Sequence, residues 1–502
     1  MRWSDAVRLG SVLIVYLILG TLYALYTPAW QSPDEPAHYN YVRHIAETGR
    51  LPVLHPGDYP HAYLEEIKAA RFPATMSIVP LRYESWQPPL YYLLAAPVYR
   101  ATDGSLLALR LISLLPGAGV IGLAYAIASA IQPRQPRLAT AVAAVIAFLP
   151  MHLAVSASVN NDVLAELFIA LIAWLVLRQI SAGTAGMRAA ILIGVLLGLG
   201  LVTKLTVYYT ALPLALLGLW WQSRQSRHLI RSAAAMVLPA LLIVLPWLAR
   251  NVALYGWPDL LGTINHEAVV IGQLRTADYI AHIGWPTYLS HFATTTFHSF
   301  WGQFGWMAVP MDGRVYLGLV ILSALAVAGL IVRWRSLPHP PAPSPLRGEG
   351  ERSPRGSVAA VAPDVAARGD VAWRMRRVLA LWLGLTVAGY LYYNVSFVQF
   401  QGRYLFPGLI PIALLAVTGW REILARHRWW LAAGVSGGVT AMAVVSGAPG
   451  RWTLAIGGAM TAAPVLRRWL PAGWEAWLRL LPLVGLAGLA GYTLFATVVP
   501  NL

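Results

Sequence analysis

The sequence predicts an all-α polytopic membrane protein, and three observations carry that prediction. Of 502 residues, 58% are hydrophobic and 12% charged, about half the charged fraction of an ordinary soluble domain. The mean hydropathy is +0.58. Apolar stretches long enough to cross a bilayer recur along the chain, and its 21 Trp and 23 Tyr suit many membrane–water boundaries, where amphipathic rings settle at headgroup depth. Cysteine is absent, which excludes disulfides, thiolate nucleophiles and cysteine metal sites together.

The first stretch, 9–26, follows Arg2 and Arg8 and reads as a retained span whose N-terminus is cytoplasmic. Residues 28–104 are proline-rich and carry Asp34, Glu35, Asp58 and Glu84; they form an outer loop. Within it, Gln87-Pro88-Pro89-Leu90-Tyr91-Tyr92 is a stiff turn opening an apolar helix to about 99, too short to span. Spans follow at about 106–131, 138–156, 162–178, 189–203, 205–221 and 232–249, then an aromatic outer loop, 250–314, and a span at about 315–332. Residues 333–377 read as a flexible cytoplasmic linker, because SLPHPPAPSPLRGEGERSPRG has no apolar period. Five more spans, at about 378–395, 405–419, 429–446, 452–466 and 481–499, bring the total to about 13. The chain thus divides into a transmembrane region 1–332 holding the candidate chemistry, the linker, and a C-terminal transmembrane region 378–502. The net charge of +16 follows from the positive-inside bias and calls for no nucleic acid.

The stretch 28–49, PAWQSPDEPAHYNYVRHIAETG, organises the rest. Pro36 suits the first position of a helix and Gly49 its end. Tyr41, Val42, Ile45 and Ala46 then line one face of an interfacial helix. Asp34 and Glu35 stand at its entrance, where the positive helix end favours their anionic forms; an ionised carboxylate there is a ready base. The same two acids also read as caps, Ser32 and Glu35 forming a capping box. His38 lies four residues after Asp34, within reach of it or of a substrate.

Positive residues on the outer side oppose the bias. Arg110, Lys204, Arg250 and Arg403 all fall at expected span ends on that face, the depth of a lipid phosphate. Lys204 stands out because Lys68 is the only other lysine. Each also reads as a snorkelling side chain; converging, they would hold a phosphate and stabilise it as a leaving group. Asp162, after Asn160 and Asn161, reads either as an N-cap or as a second carboxylate opposite Asp34. The histidines of the second outer loop are too irregular for a metal motif. No metal or other cofactor is assigned, although paired acids suit a divalent ion.

In this order, Asp34-Glu35, Pro88-Pro89-Leu90-Tyr91-Tyr92, Arg110-Leu111, Asn161-Asp162, Thr203-Lys204 and Arg403-Tyr404-Leu405 before Pro407 resemble the GT-C class of integral membrane glycosyltransferases. The resemblance is to the branch with the protein O-mannosyltransferases and the lipid A aminoarabinose transferase, and it covers about residues 1–420. It implies a polyprenyl phosphate carrying one hexose or pentose as donor, membrane lipids as surroundings, and a site open to the outer side of the cell membrane, in envelope synthesis. It also implies Asp34 as the catalytic carboxylate. Glycosyl transfer needs a base for the incoming hydroxyl and cations for the departing oxyanion. Asp34 would supply the first and Arg110, Lys204, Arg250 and Arg403 the second. Glu35 and Asp162 would orient acceptor or sugar, and His38, Tyr91, Gln401 and Tyr404 would contact substrate. A single displacement with one base implies inversion. The acceptor, whether glycan, lipid or protein, has no signature. The runner-up is a transporter or flippase of lipid-linked or envelope precursors, which would place acids near mid-membrane in two related halves; the sequence shows no such repeat.

Overall fold

A computed structural model of the chain describes residues 3–182, 186–223, 229–336, 362–447, 450–471 and 481–502. Two compact units result, one from residues 1–313, 378–413 and 473–502, the other from 314–377 and 414–472. The chain therefore leaves the first unit and returns to it, rather than dividing at 332 and 378.

In the first unit, the apolar helix α1 (Trp3–Tyr26) ends before Pro28 and leads into α2 (Glu35–Thr48). Pro36 sits in the first turn of α2, and Gly49 closes it with φ +70° and an amide donating to the Ile45 carbonyl. The expected helix is thus present, beginning one residue earlier and closed by Gly49 as expected. α3 (His61–Ala69) and α4 (Leu90–Ala101) complete the first loop. α2 and α4 share a core in which the Tyr41 and Tyr92 rings stack 3.7 Å apart. Burying such rings is worth about 1.5–3 kcal/mol each. Asn40 donates to the Leu81 carbonyl at 2.9 Å and Tyr41 to that of Gln87 at 3.0 Å, tying the segment 81–87 down over α2.

Next come α5 (Leu106–Ile131), whose N-cap Ser105 accepts from the Ala108 amide, α6 (Pro136–Phe148), α7 (Pro150–Ser156) and α8 (Asp162–Ala182). Leu149 is extended and Pro150 cannot continue a helix, so α6 and α7 bend by 64°. α9 (Met187–Leu201), α10 (Thr206–Ser223) and α11 (Leu229–Tyr255) follow. α9 and α11 approach through small residues, the usual device where lipid supplies no hydrophobic drive. A Cβ on Gly194 would lie 2.1 Å from the Met236 carbonyl oxygen.

The second loop folds into α12 (Thr263–Val269), α13 (Thr276–Ile283), α14 (Trp285–Trp301) and a ribbon of β1 (Gln303–Phe304) against β2 (Val309–Pro310). The second unit holds α15 (Gly313–Arg335), the start of α16 (Ala362–Ser396), the end of α17 (Leu409–Ile423), α18 (Trp429–Val445) and α19 (Arg451–Arg467). α20 (Leu481–Thr493) belongs to the first.

Two expectations change. Eight helices among the described residues are long and apolar enough to cross a membrane, nine if the bent pair is one span, against about 13 expected. The difference lies partly in short helices: α9 has 15 residues, α18 and α19 17 each, and 17 residues rise only about 26 Å. Of the expected linker, 337–361 lies outside the described residues, but 362–377 is helical, with Pro363 early in the helix and good helix formers after it.

Gly194→Leu should cost about 1–3 kcal/mol by overpacking α9 on α11. Thermal unfolding in detergent should show a lowered midpoint, while Gly10→Leu, where a Cβ meets nothing within 4 Å, should leave it in place.

Candidate active site

The site is built around two neighbouring acids with opposite fates. Glu35 is fully buried and Arg110 is 3% exposed. Arg110 Nε donates to Glu35 Oε1 at 2.8 Å and Nη2 to Oε2 at 2.6 Å, a fork-to-fork pair. The other Arg110 donors reach the carbonyls of Ala24, Thr27 and Pro28 at 3.1, 2.6 and 3.1 Å. Glu35 also accepts from the Trp30 and Val159 amides, each at 3.2 Å. All five guanidinium donors and both carboxylate oxygens are engaged, so this pair clamps the end of α1, the start of α2, α5 and the segment before α8. The expectation of Arg110 as a phosphate ligand and Glu35 as an orienting acid gives way to that clamp.

Asp34 goes the other way. Its backbone is left-handed, φ +66°, and its side chain makes no cap bond. This conformation is tolerated by Asp but strained relative to Gly. The capping reading therefore does not hold for Asp34. Instead, Asp34 Oδ2 accepts from Arg403 Nη2 at 2.9 Å and Oδ1 from the Tyr83 hydroxyl at 3.0 Å. Burial pushes its pKa up, but the Arg403 guanidinium, aided by both hydrogen bonds, holds it below the ordinary carboxylate range. The same burial, with the charge of Asp34, pushes the Tyr83 hydroxyl well above its ordinary value, so Tyr83 remains a donor.

Asp162 forms the second half. Asn160 Oδ1 takes the cap bond from the Asp162 amide at 2.9 Å, freeing the Asp162 carboxylate to pair with Lys204 at 2.6 Å. Lys204 also donates to Asn161 Oδ1 at 2.9 Å, and Asn161 donates to the Thr203 carbonyl at 3.0 Å. These residues hold the α8 entrance to the turn between α9 and α10. His38 is buried, with Nδ1 2.8 Å from the Tyr92 hydroxyl. Burial, then the Lys204 charge, pushes its pKa down to about 3, so it stands neutral at physiological pH.

Of the four expected cations, Lys204 and Arg403 flank these acids. Arg250 does not join them. It donates to the Leu51 and Pro52 carbonyls and lies 5.1 Å from the Trp247 ring. Tyr91 is buried, bonded to Ser113 at 2.8 Å, and serves the core. Gln401 Nε2 reaches Gln399 at 3.0 Å while its Oε1 is unpartnered. Tyr404 lies beside Arg403, 5.5 Å from guanidinium to ring, and edge-on to Tyr393. Tyr83, Glu84 and Tyr92 join the site without having been singled out. The available signal was an acid and a phenol just before the rigid Gln87-Pro88-Pro89 turn. Among the described residues, no three His, Asp or Glu side chains gather as metal ligands.

The helical bundle with its outer-loop helices has the fold of the GT-C integral membrane glycosyltransferases. Within that class, residues 86–249 match the family described as dolichyl-phosphate-mannose-protein mannosyltransferase, a stretch that holds Arg110, Asp162 and Lys204 but neither Asp34 nor Arg403. The chain is similar to apo ArnT from Cupriavidus metallidurans, with 16% identity, TM-score 0.52, and coverage of 98% of this chain and 75% of that one. Similarity to the apo oligosaccharyltransferase of Archaeoglobus fulgidus is 12% identity and TM-score 0.50, over 98% of this chain and 56% of that one. No curated protein matches the chain.

Glu35→Gln and Arg110→Gln should each cost about 3–5 kcal/mol, because each leaves a buried charge unpaired. The double variant should cost less than the sum, read as thermal midpoints in detergent.

Proposed function

We propose that the protein transfers a sugar from a polyprenyl-phosphate donor to a hydroxyl acceptor on the extracytoplasmic side. The observation that carries this reading is the ion pair of an ionised carboxylate, Asp34, with Arg403, set close enough to the Asp162–Lys204 pair for the two pairs to act on one another electrostatically and on His38. The match to a dolichyl-phosphate-mannose-using family supports a lipid-linked donor, either a hexose or a pentose. The positive-inside bias supports a cytoplasmic N-terminus.

Asp34 acts as base. It takes the proton of the acceptor hydroxyl as that oxygen attacks the anomeric carbon, and the bond from that carbon to the phosphate oxygen breaks on the opposite face, giving inversion. Arg403 and Lys204 neutralise the charge growing on the departing lipid phosphate. Arg403 Nε is buried with no protein partner, so this cation keeps a donor for an anion even while it holds Asp34. Asp162, through Lys204, fixes that ammonium; His38, neutral, offers its ring to the sugar. The acceptor is a glycan, a lipid or a protein.

The test is sugar transfer from a panel of radiolabelled polyprenyl-phosphate sugars in membranes carrying the wild type or Asp34→Asn. Turnover should fall about 10²–10⁴-fold in the variant with donor binding retained. Transfer that survives the substitution would remove Asp34 as base, and a wild type that binds no donor would favour a transporter.

A further inference from the structure

Every other buried acid of this region has a basic partner: Asp34 has Arg403, Glu35 Arg110, Asp162 Lys204 and Glu166 His152. Glu84 has none. Its side chain is nine-tenths buried, its Oε2 has no hydrogen-bond partner, and no ion pair among the described residues includes it. Leaving a carboxylate in that state is costly unless it is neutral or meets a ligand. The segment that carries it is firmly held. Arg82 pairs with Asp58 at 2.7 Å, the Ser85 and Gln87 amides close turns onto the Arg82 and Glu84 carbonyls, and neighbouring Tyr83 is bonded to Asp34. Glu84 is thus fixed in a segment whose preceding residue, Tyr83, is bonded to Asp34.

We infer that Glu84 is the proton reservoir of the site, a positioning residue that receives from Asp34 the proton taken from the acceptor hydroxyl. This rests on the glycosyl-transfer reading. Asp34 is suited to take that proton in the transition state but, facing Arg403, is poorly suited to keep it. The bookkeeping is complete: the acceptor oxygen bonds to the anomeric carbon, and the electron pair of the broken carbon–oxygen bond stays on the lipid phosphate. The acceptor's proton passes through Asp34 to the Glu84 carboxylate. Glu84 releases it to the outer aqueous phase before the next turnover, which restores both acids.

The electrostatics of the surroundings agree. Burial, then the charge of Asp34, raises the Glu84 pKa to about 7, with Asp162 adding to the rise and Lys204 and the Gln87 side chain opposing it. The other titratable groups that sense Glu84 are the phenols of Tyr83, Tyr92 and Tyr393. Two acids in one pocket with values driven apart mark a division of proton-handling roles.

The experiment is a pH–rate profile of sugar transfer to endogenous membrane acceptors, using the donor panel above, with wild type, Glu84→Gln and Glu84→Asp. An infrared titration of protonated-carboxyl absorption in purified protein accompanies it. Wild-type turnover should drop about 30-fold from pH 8 to pH 5.5, as Glu84 protonates. Glu84→Gln should be slower by about 10²-fold and should lose that acid limb and the titrating infrared band. Glu84→Asp should keep a limb, and it replaces the Gln variant where the latter fails to fold. An acid limb unchanged in Glu84→Gln overturns the inference and leaves glycosyl transfer standing. A wild type that transfers no sugar, while its infrared band still titrates near neutrality, overturns the glycosyl-transfer reading and this inference with it.

Discussion

The Glu35–Arg110 pair is the constraint on which the site depends. A buried ion pair yields little net stability unless all its hydrogen-bonding capacity is met, and here it is met from four places in the chain. Three carbonyls at the end of α1, the Trp30 amide, the Val159 amide and the side chain from α5 converge on it. That fixes where the first span stops and at what angle α2 leaves. It also explains why Asp34, one residue earlier, sits in a left-handed conformation that most side chains avoid. With Glu35 drawn inward to Arg110, the preceding residue has to turn outward. Adjacent acids in sequence thereby become an anchor to Arg110 and a separate carboxylate paired with Arg403.

The pocket then works by unequal pairing. Asp34 is held anionic by Arg403, Asp162 is occupied with Lys204, His38 is kept neutral by burial and a neighbouring cation, and Glu84 is in no ion pair among the described residues. Similar side chains take different charge states because the fold distributes two cations among three acids. Neither cation is lost to solvent: Arg403 is 8% exposed and Lys204 15% at the side chain. Each therefore acts in surroundings where a charge is screened much less than at a surface.

Much of this was legible in the sequence, and the gaps have physical causes. Asp34, Asp162, Lys204 and Arg403 could be found because a charge at a span boundary has few explanations, and depth in the membrane is what a hydropathy pattern reports. It reports nothing about azimuth around a bundle. Arg110 and Arg250 share that depth, yet one turns to Glu35 and the other to the carbonyls of Leu51 and Pro52. Glu84 was visible only as one more acid in a polar loop, because its character comes from what does not touch it. The described residues do not confirm the full span count, because an apolar run does not reveal its helix length, as in α18 and α19, and the linker's low-complexity composition masked the helical start of α16.

The bond between Asp34 and Arg403 joins residues 369 positions apart. At a synthesis rate of about 5–20 residues per second, the acid precedes its cation by about 20–70 s. During insertion the nascent chain thus carries this carboxylate without its counter-charge. The ion pair forms only when the Gly402–Gly408 turn has emerged and docked, so a chain arrested anywhere before that point holds Asp34 without Arg403.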